Sequence, residues 1–198
     1  MAISSTLARI WLASTVEIGC LVRSFFCLRA TEKACFHSGG QLLNNDTIVN
    51  IALELVDACW NTYASTAYVF PPPYHHHLTI HFNRTGIGPE SFAFQSSDPK
   101  SSSPPSSSSA FNKAHGFWIT DADYILRPEV LESNFYAWRV TGNTTYLDRA
   151  VSAIHSFKTY LQTPETSGFA GLNDVNDVNS DKIDDQESFW FAEVLKYL

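Results

Sequence analysis

The chain has 198 residues, of which 44% are hydrophobic and 14% aromatic. This composition excludes an intrinsically disordered protein, and the length fits one ordinary domain or part of a larger one. A formal net charge of −7 without any run of lysine or arginine excludes a nucleic-acid-binding protein.

The N-terminal region holds the apolar stretch 10–22, which resembles the hydrophobic part of a signal peptide. Glu17 interrupts this stretch and Arg23 follows it, so it makes a poor signal peptide. No stretch approaches the roughly 18 uncharged apolar residues that cross a membrane as a helix. We therefore expect that the chain does not span a bilayer.

The four cysteines show neither CxxC pairs nor zinc-finger spacing with the histidines, which argues against a structural metal site. The four cysteines could form one or two disulfides. Three sequons for N-glycosylation begin at Asn45, Asn83 and Asn143.

The first predicted element is a helix over residues 46–66, which Asn45 or Asp46 can cap. Its apolar residues recur on one helical face: Ile48, Ile51, Ala52, Leu55, Val56 and Cys59.

The pattern breaks at 68–84, where Pro-Pro-Pro precedes three histidines, and we interpret this segment as an insertion. Consecutive histidines on an irregular loop do not converge on a metal, so we favour an exposed loop. Residues 96–109 are rich in Ser and Pro and predict a flexible loop.

Pro128 begins the next predicted helix, which carries Leu131, Phe135 and Trp138 on one face and ends at Gly142. A third helix, over 144–163, follows a short connection, so the two helices should form an antiparallel pair. A polar, turn-rich stretch at 168–178 suggests a small β-hairpin. A last amphipathic helix, from about residue 185, reaches the end of the chain without a cap, and we expect that the chain is cut off there.

Acidic residues on these helices are the candidates for chemistry. Glu129 and Glu132 are three residues apart on one face, and Phe189 and Glu193 are four apart. Helix capping alone could account for the two glutamates, because a helix N-terminus favours negative charge. Spacing therefore does not decide between a structural and a functional role.

Several motifs decide it by resemblance. They are Tyr124-Ile-Leu-Arg-Pro-Glu-Val-Leu-Glu-Ser133, Arg139-Val-Thr-Gly142 with Tyr146, Cys35-Phe36 with Gly39-Gly40, Cys59-x-x-Thr62-Tyr63, Gly86-Ile-Gly-Pro-Glu90 and Glu187-Ser-Phe-x-Phe-Ala-Glu193-Val-Leu-Lys-Tyr-Leu198. In this order they resemble the signatures of glycoside hydrolase family 47, the class I α-1,2-mannosidases, in its fungal type. The resemblance implies an all-α fold, here an incomplete (αα)7 barrel with a small β-hairpin. It also implies calcium-dependent hydrolysis, with inversion, of terminal α-1,2-linked mannose from N-linked high-mannose oligosaccharides.

The resemblance assigns roles to individual residues. Glu129 is implied as the catalytic base, and Glu90 as a second pocket carboxylate. The implied substrate-binding residues are Arg127, Glu132, Phe189 and Glu193. Glu132 and Glu193 are also implied to reach the calcium ion through its waters. Cys35 and Cys59 match the family's disulfide, which leaves Cys20 and Cys27 without a family role.

The resemblance is incomplete. Residues 1–30 match nothing in the family, and 31–198 match part of its catalytic domain. The family's catalytic acid lies upstream of the matched motifs, and its calcium-binding threonine lies beyond residue 198, so the metal site is incomplete and we expect this chain alone to be inactive. Removing 68–84 restores the family pattern, which suggests a translated intron.

The family implies a protein of the endoplasmic reticulum or Golgi lumen, or a secreted one, with high-mannose N-glycans as its partners and no predicted protein partner. Two alternatives remain: a truncated, non-catalytic module that binds mannose glycans, and a helical interaction protein with accidental similarity. The number of ordered motifs argues against the second.

Overall fold

The computed structural model describes residues 39–66, 85–94 and 103–198. The helices of these ranges are α1 (Asp46–Thr66), a 3₁₀ turn (Ser106–Ser108), α2 (Ser109–His115), α3 (Glu129–Thr141), α4 (Thr145–Tyr160), a π-helix (Trp190–Val194) and α5 (Leu195–Tyr197). The strands are β1 (Ser91–Ala93), β2 (Trp118–Asp121), β3 (Gly171–Leu172) and β4 (Lys182–Ile183). In the described part, the fold is therefore mainly helical with two small sheets. The predicted incomplete barrel stays a prediction.

The helix predicted over 46–66 is confirmed with the same bounds as α1. The Asn45 carboxamide oxygen accepts hydrogen bonds from the backbone N–H groups of Thr47, at 3.1 Å, and Ile48, at 3.4 Å. Asn45 thus satisfies two donors that a helix start leaves open. No helix in the described residues is long and apolar enough to cross a membrane.

Helices α3 and α4 pack against each other, as predicted. Gly142 ends α3 in the left-handed conformation, with φ 69°, and its N–H donates to the Trp138 carbonyl. Arg149 of α4 donates to the Asn134 side chain on α3, at 3.1 Å, and to Asp57 on α1, at 2.7 Å. One arginine therefore ties together three helices.

Strands β3 and β4 form the predicted hairpin, but its second strand lies at Lys182–Ile183, outside the predicted range 168–178. This pairing also explains why the last helix begins later than predicted. Strand pairing and the turn in which the Asp185 N–H donates to the Ile183 carbonyl keep this part of the chain out of a helix. The helical segment starts at residue 189, and most of it is a π-helix rather than an α-helix.

The sequence did not predict the sheet of β1 and β2 or helix α2. Strand β1 pairs antiparallel with β2, next to the loop that carries Glu90. The Ser/Pro-rich segment 96–109 falls partly outside the described residues, and its described part includes the 3₁₀ turn and the start of α2.

The predicted insertion 68–84 lies outside the described residues, but the chain on both sides of 67–84 is in contact. The Gly86 N–H donates to the Thr66 carbonyl at 3.4 Å, and the buried Thr66 hydroxyl donates to the Ile87 carbonyl at 2.9 Å. The C-terminal end of α1 is therefore joined directly to the Gly-Pro-Glu loop.

The main core lies where α1, the loop 85–90, the strand segment around Tyr124, α4 and the last helix meet. Its most deeply buried large side chains include Ile87, Leu126, Phe157, Leu161, Leu172 and Trp190. The backbone of Tyr124 pairs with Leu172 through two hydrogen bonds, of 2.8 and 3.0 Å, so the hairpin holds the strand segment that leads into α3.

Gly171 allows this close pairing. A Cβ atom added there would collide with the Tyr124 carbonyl oxygen, which is backbone and cannot swing away. We expect Gly171→Ala to lower the free energy of unfolding by about 1–3 kcal/mol, the usual cost of overpacking. Urea denaturation would measure this loss. The matched control is Gly39→Ala, because a Cβ at Gly39 meets no atom of the described residues within 4 Å. Equal urea midpoints for the two variants would contradict the expectation.

Candidate active site

A shallow, partly open pocket lies between α1, the Gly-Pro-Glu loop and the start of α3. Its lining consists of Thr62, Tyr63, Gly88, Pro89, Glu90, Phe92, Tyr124, Arg127, Glu129 and Val130. The loop can pack on α1 because Gly88 has no side chain: a Cβ there would collide with the Tyr63 ring. The pocket thus brings together both candidate catalytic glutamates and one of the predicted substrate-binding residues.

Glu90 and Arg127 form the closest charged pair of the pocket. The Arg127 Nε–H donates to both Glu90 carboxylate oxygens, at 2.8 and 2.9 Å. The Glu90 backbone N–H donates to the Asp123 carbonyl at 2.7 Å, which fixes the loop beside the segment that leads into α3. Burial raises the pKa of Glu90, while the hydrogen bond and charge of Arg127 oppose that rise.

Arg127 also connects the pocket to α3 and to the last helix. Its Nη1 lies 3.8 Å from Glu129 Oε1, and its guanidinium lies 5.9 Å from the centre of the Phe189 ring. A guanidinium at this distance from an aromatic ring is within the range of a cation–π interaction. Arg127 is therefore the central cation of the site.

Glu129 is the first residue of α3 and lies beside this pair. Its Oε2 is buried and has no hydrogen-bond partner among the described residues. Burial raises the pKa of Glu129 to about 7, although a backbone hydrogen bond at the helix start and the charge of Arg127 lower it. The negative charges of Glu90 and Glu193 add to the rise. A carboxyl that titrates near neutral pH can accept a proton from water in that pH range.

Glu132 lies one turn further along α3 and is buried, with 7% of its surface exposed. The Tyr197 hydroxyl donates to Glu132 Oε1 at 2.9 Å. The structure therefore ties Glu132 to the last helix, outside the pocket lining, and its predicted contact with sugar hydroxyls or calcium-bound waters stays a prediction.

Phe189 and Glu193 lie at the start and within the π-helix, respectively. The structure brings Phe189 to Arg127 and Glu193 near enough to Glu129 to affect its pKa. Short π-helical turns occur often at functional sites. The predicted substrate-binding residues of the last helix thus face the same carboxylates as the pocket.

The sequence reasoning missed the roles of two tyrosines in this pocket. Tyr63 and Tyr124 are buried, and the Tyr63 ring meets the Tyr124 ring edge-on, with centroids 6.5 Å apart. Burial raises the pKa of both hydroxyls, so both stay neutral donors. The Tyr124 hydroxyl donates to the Arg127 carbonyl at 3.0 Å. Both residues belong to the motifs that carry the family resemblance, and only that membership could have identified them from the sequence.

The backbone between Tyr124 and Arg127 is unusual. Leu126 has φ 64°, in the left-handed region, and its side chain is fully buried. For a residue with a Cβ this conformation costs about 1–2 kcal/mol. The surrounding contacts must therefore hold Leu126 in place, directly before the candidate catalytic residues.

The predicted disulfide and metal site fall largely outside what the structure describes. Cys59 is buried on α1, but Cys35 lies outside the described residues, so their disulfide stays a prediction. Within 39–66, 85–94 and 103–198, no group of three or more His, Cys, Asp and Glu side chains could hold a metal ion.

Comparison with known protein families gives one match that covers most of the chain. Residues 23–198 match the model of glycosyl hydrolase family 47. The matched range contains all the pocket residues described above.

Individual relatives agree with this match. The chain is 47% identical over 171 residues to mannosyl-oligosaccharide alpha-1,2-mannosidase 1B of Aspergillus phoenicis, and 44% identical over 171 residues to the protein of that name in Emericella nidulans. Each alignment covers 86% of this chain and 29% of the relative. Among solved structures, alpha-1,2-mannosidase from Trichoderma reesei matches with a TM-score of 0.71 and 38% identity, over 86% of this chain and 32% of that one. The chain thus spans about a third of the length of these relatives.

Proposed function

The chain belongs to glycosyl hydrolase family 47, and from this premise we propose that it contributes part of an active site that removes terminal α-1,2-linked mannose from N-linked high-mannose oligosaccharides. The relatives that it matches are named as mannosyl-oligosaccharide alpha-1,2-mannosidases. The observation that carries the proposal is Glu129: a partly buried carboxyl beside the Glu90–Arg127 pair, whose buried Oε2 has no hydrogen-bond partner within the described ranges. This is the arrangement that a general base requires.

We propose that Glu129 acts on water. In an inverting glycosidase, one carboxylate takes a proton from water while the water oxygen bonds to the sugar C1 on the face opposite the leaving group. Glu129 Oε2, which accepts no hydrogen bond from the part of the chain that the structure describes, is the oxygen to take that proton. The bond between C1 and the glycosidic oxygen breaks in the same step, and a general acid protonates the leaving oxygen.

Glu90 is suited to positioning rather than to proton donation. Both of its carboxylate oxygens accept hydrogen bonds from Arg127 Nε, and this contact favours the ionised carboxylate over an acid that could protonate a leaving group. We propose that Glu90 holds Arg127, whose remaining N–H groups bind substrate hydroxyls. The general acid is then a residue of the whole protein outside the described ranges.

Phe189 would contribute an apolar surface for the sugar ring. The side chain is half-buried and its ring lies beside Arg127. An aromatic ring next to a cation and carboxylates suits a sugar, which has both an apolar C–H face and hydroxyls.

Calcium dependence is part of the proposal for the whole protein. Calcium prefers oxygen ligands and keeps waters, and the carboxylates of Glu132 and Glu193 have the chemistry to bind such waters. The described residues do not form a cation site by themselves.

We also propose that the protein works in the secretory pathway or outside the cell, where N-glycans are found. Asn45 and Asn143 are exposed, as glycosylation requires, and each begins a sequon. Mass spectrometry of the native protein, before and after removal of N-glycans, would test both sites. Unmodified peptides covering both asparagines would remove this support for the location.

The experiment that tests the function uses the whole natural polypeptide and mannose disaccharides linked α-1,2, α-1,3 or α-1,6. We expect release of mannose from the α-1,2 disaccharide alone, with β-mannose as the first anomer seen by proton NMR, because inversion of an α-linkage yields the β-anomer. An α-anomer as first product would overturn the inverting mechanism. Glycan binding without any hydrolysis would instead favour the non-catalytic mannose-binding module.

A further inference from the structure

The strained backbone at Leu126 lies at the entrance to the candidate site. Leu126 is followed by Arg127, Pro128 and Glu129, so its conformation sets the direction in which the chain enters α3. A residue before proline is also restricted to extended conformations, which limits Arg127. With little freedom left at these positions, a change in φ at Leu126 would reorient both Arg127 and Glu129.

Tyr124 is the residue placed to prevent that change. Its hydroxyl donates to the Arg127 carbonyl at 3.0 Å and so bridges the Leu126 turn from one side to the other. Its own backbone is fixed by the two hydrogen bonds to Leu172, and its ring stacks on Phe157, with centroids 5.7 Å apart. The Tyr124 hydroxyl, which is the donor, is therefore held in a fixed position. The Arg127 carbonyl, which is the acceptor, lies on the other side of Leu126 in the sequence.

Tyr63 supports the same contact from α1. Its ring meets the Tyr124 ring edge-on, with centroids 6.5 Å apart. Both side chains are buried, so the two rings hold each other in place. This packing fixes the ring whose hydroxyl donates to the Arg127 carbonyl.

We propose that Tyr124 is a positioning residue, whose hydroxyl keeps Leu126 in the left-handed conformation from which Arg127 and Glu129 enter the pocket. This inference rests on the proposed function for its catalytic consequence, but its geometric part is independent of any activity. Neither residue type nor spacing distinguishes Tyr124 from an ordinary core tyrosine. The bridge across Leu126 does.

The test compares Tyr124→Phe with Tyr146→Phe in the whole natural polypeptide. Phenylalanine at 124 keeps the stacking on Phe157 and removes only the hydroxyl. Tyr146 is a matched control because it is also buried but lies on α4, outside the pocket lining. Crystal structures of both variants would give φ at Leu126 and the distance between Arg127 and Glu90, and kinetics on the α-1,2 disaccharide would give kcat and KM separately.

We expect Leu126 to leave the left-handed region in Tyr124→Phe and to stay there in Tyr146→Phe. We also expect kcat of Tyr124→Phe to fall at least about 10-fold with KM changed less than about 2-fold, because misplacement of a reacting group costs rate more than binding. A purely structural role would not separate the two constants in this way. Retained left-handed φ together with unchanged kcat would overturn the proposal.

Two further outcomes are distinguishable. If Tyr124→Phe does not fold, Phe157→Leu removes the ring on which Tyr124 stacks, and we expect a smaller fall in kcat in the same direction; no fall would overturn the proposal. If the parent protein releases no mannose, the proposed function fails, and the Leu126 geometry in the two crystal structures still decides the positioning role.

Discussion

Replacing Glu129 with glutamine is expected to reduce mannose release by about 10²- to 10⁴-fold, the usual contribution of a general base. Glutamine keeps the size and shape of the side chain, but its amide cannot take a proton from water. Binding of the glycan should persist, because Arg127, Glu90 and Phe189 are unchanged. Initial rates on the α-1,2 disaccharide and calorimetric titration with an oligomannose ligand would measure the two effects in the whole natural polypeptide.

A matched control for this variant is Glu54→Gln. Glu54 is an exposed residue of α1, outside the pocket lining, and the substitution makes the same chemical change. Its rate should equal that of the parent protein. Near-normal hydrolysis by Glu129→Gln would refute the assignment of Glu129 as base, whereas loss of both hydrolysis and binding would show that the side chain mainly holds the substrate.

The same substitution should stabilise the protein above neutral pH. The pKa of Glu129 is about 7 in the folded protein, compared with 4.5 for an ordinary glutamate. The folded state therefore holds this proton more tightly than the unfolded state does. The bound proton therefore contributes to the free energy of unfolding. This contribution is fully present below about pH 4.5, decreases as pH rises, and is gone above about pH 7. A pKa difference of this size corresponds to about 3 kcal/mol.

Glutamine cannot lose a proton, so Glu129→Gln lacks this dependence. We expect the difference in the free energy of unfolding between variant and parent to change in favour of the variant by about 3 kcal/mol between pH 4 and pH 8. Urea denaturation of both proteins at several pH values would measure it, since other carboxyls titrate alike in both. Glu54→Gln should show no such trend. A pH-independent difference for Glu129→Gln would mean that the carboxyl is not raised in the folded protein.

Apolar spacing and the residues at helix ends predicted those helices whose bounds depend on the local sequence. The apolar spacing of 46–66 predicted α1 with its observed bounds, and Pro128 and Gly142 marked the two ends of α3. A Pro at a helix start and a Gly just past its end act through backbone geometry alone, without help from distant residues. These parts of the fold could therefore be predicted from sequence.

Contacts between distant segments account for most of what sequence reasoning missed. Strands β1 and β2 have three and four residues, too few for a visible alternation, and each depends on the other for its hydrogen bonds. The last helix was predicted to begin near residue 185, where pairing of β4 with β3 prevents a helix. The left-handed Leu126 was also unpredictable, since leucine rarely adopts that conformation.

In the candidate site, too, local sequence predicted some features, and contacts between distant segments determine the others. Spacing placed Glu129 and Glu132 on one face of a helix, yet in the structure Glu129 lines the pocket, whereas Glu132 does not and accepts a hydrogen bond from Tyr197. The pairing of Glu90 with Arg127 joins residues far apart in sequence, and only the resemblance to a family suggested that they meet. The role of Tyr124 depends on the hydrogen bond from its hydroxyl to the Arg127 carbonyl, which no sequence pattern encodes.

The direct contact between the end of α1 and the Gly-Pro-Glu loop bears on how genes of this kind can change. Because the Thr66 carbonyl accepts a hydrogen bond from the Gly86 N–H, the two ends of any segment inserted between these residues already lie side by side. The entropy of closing a flexible loop grows slowly with its length, by about 0.6 kcal/mol for each doubling. Insertions and deletions between these two residues are therefore close to thermodynamically neutral, and altered splicing or drift could lengthen or shorten the coding sequence here without a selective penalty on folding.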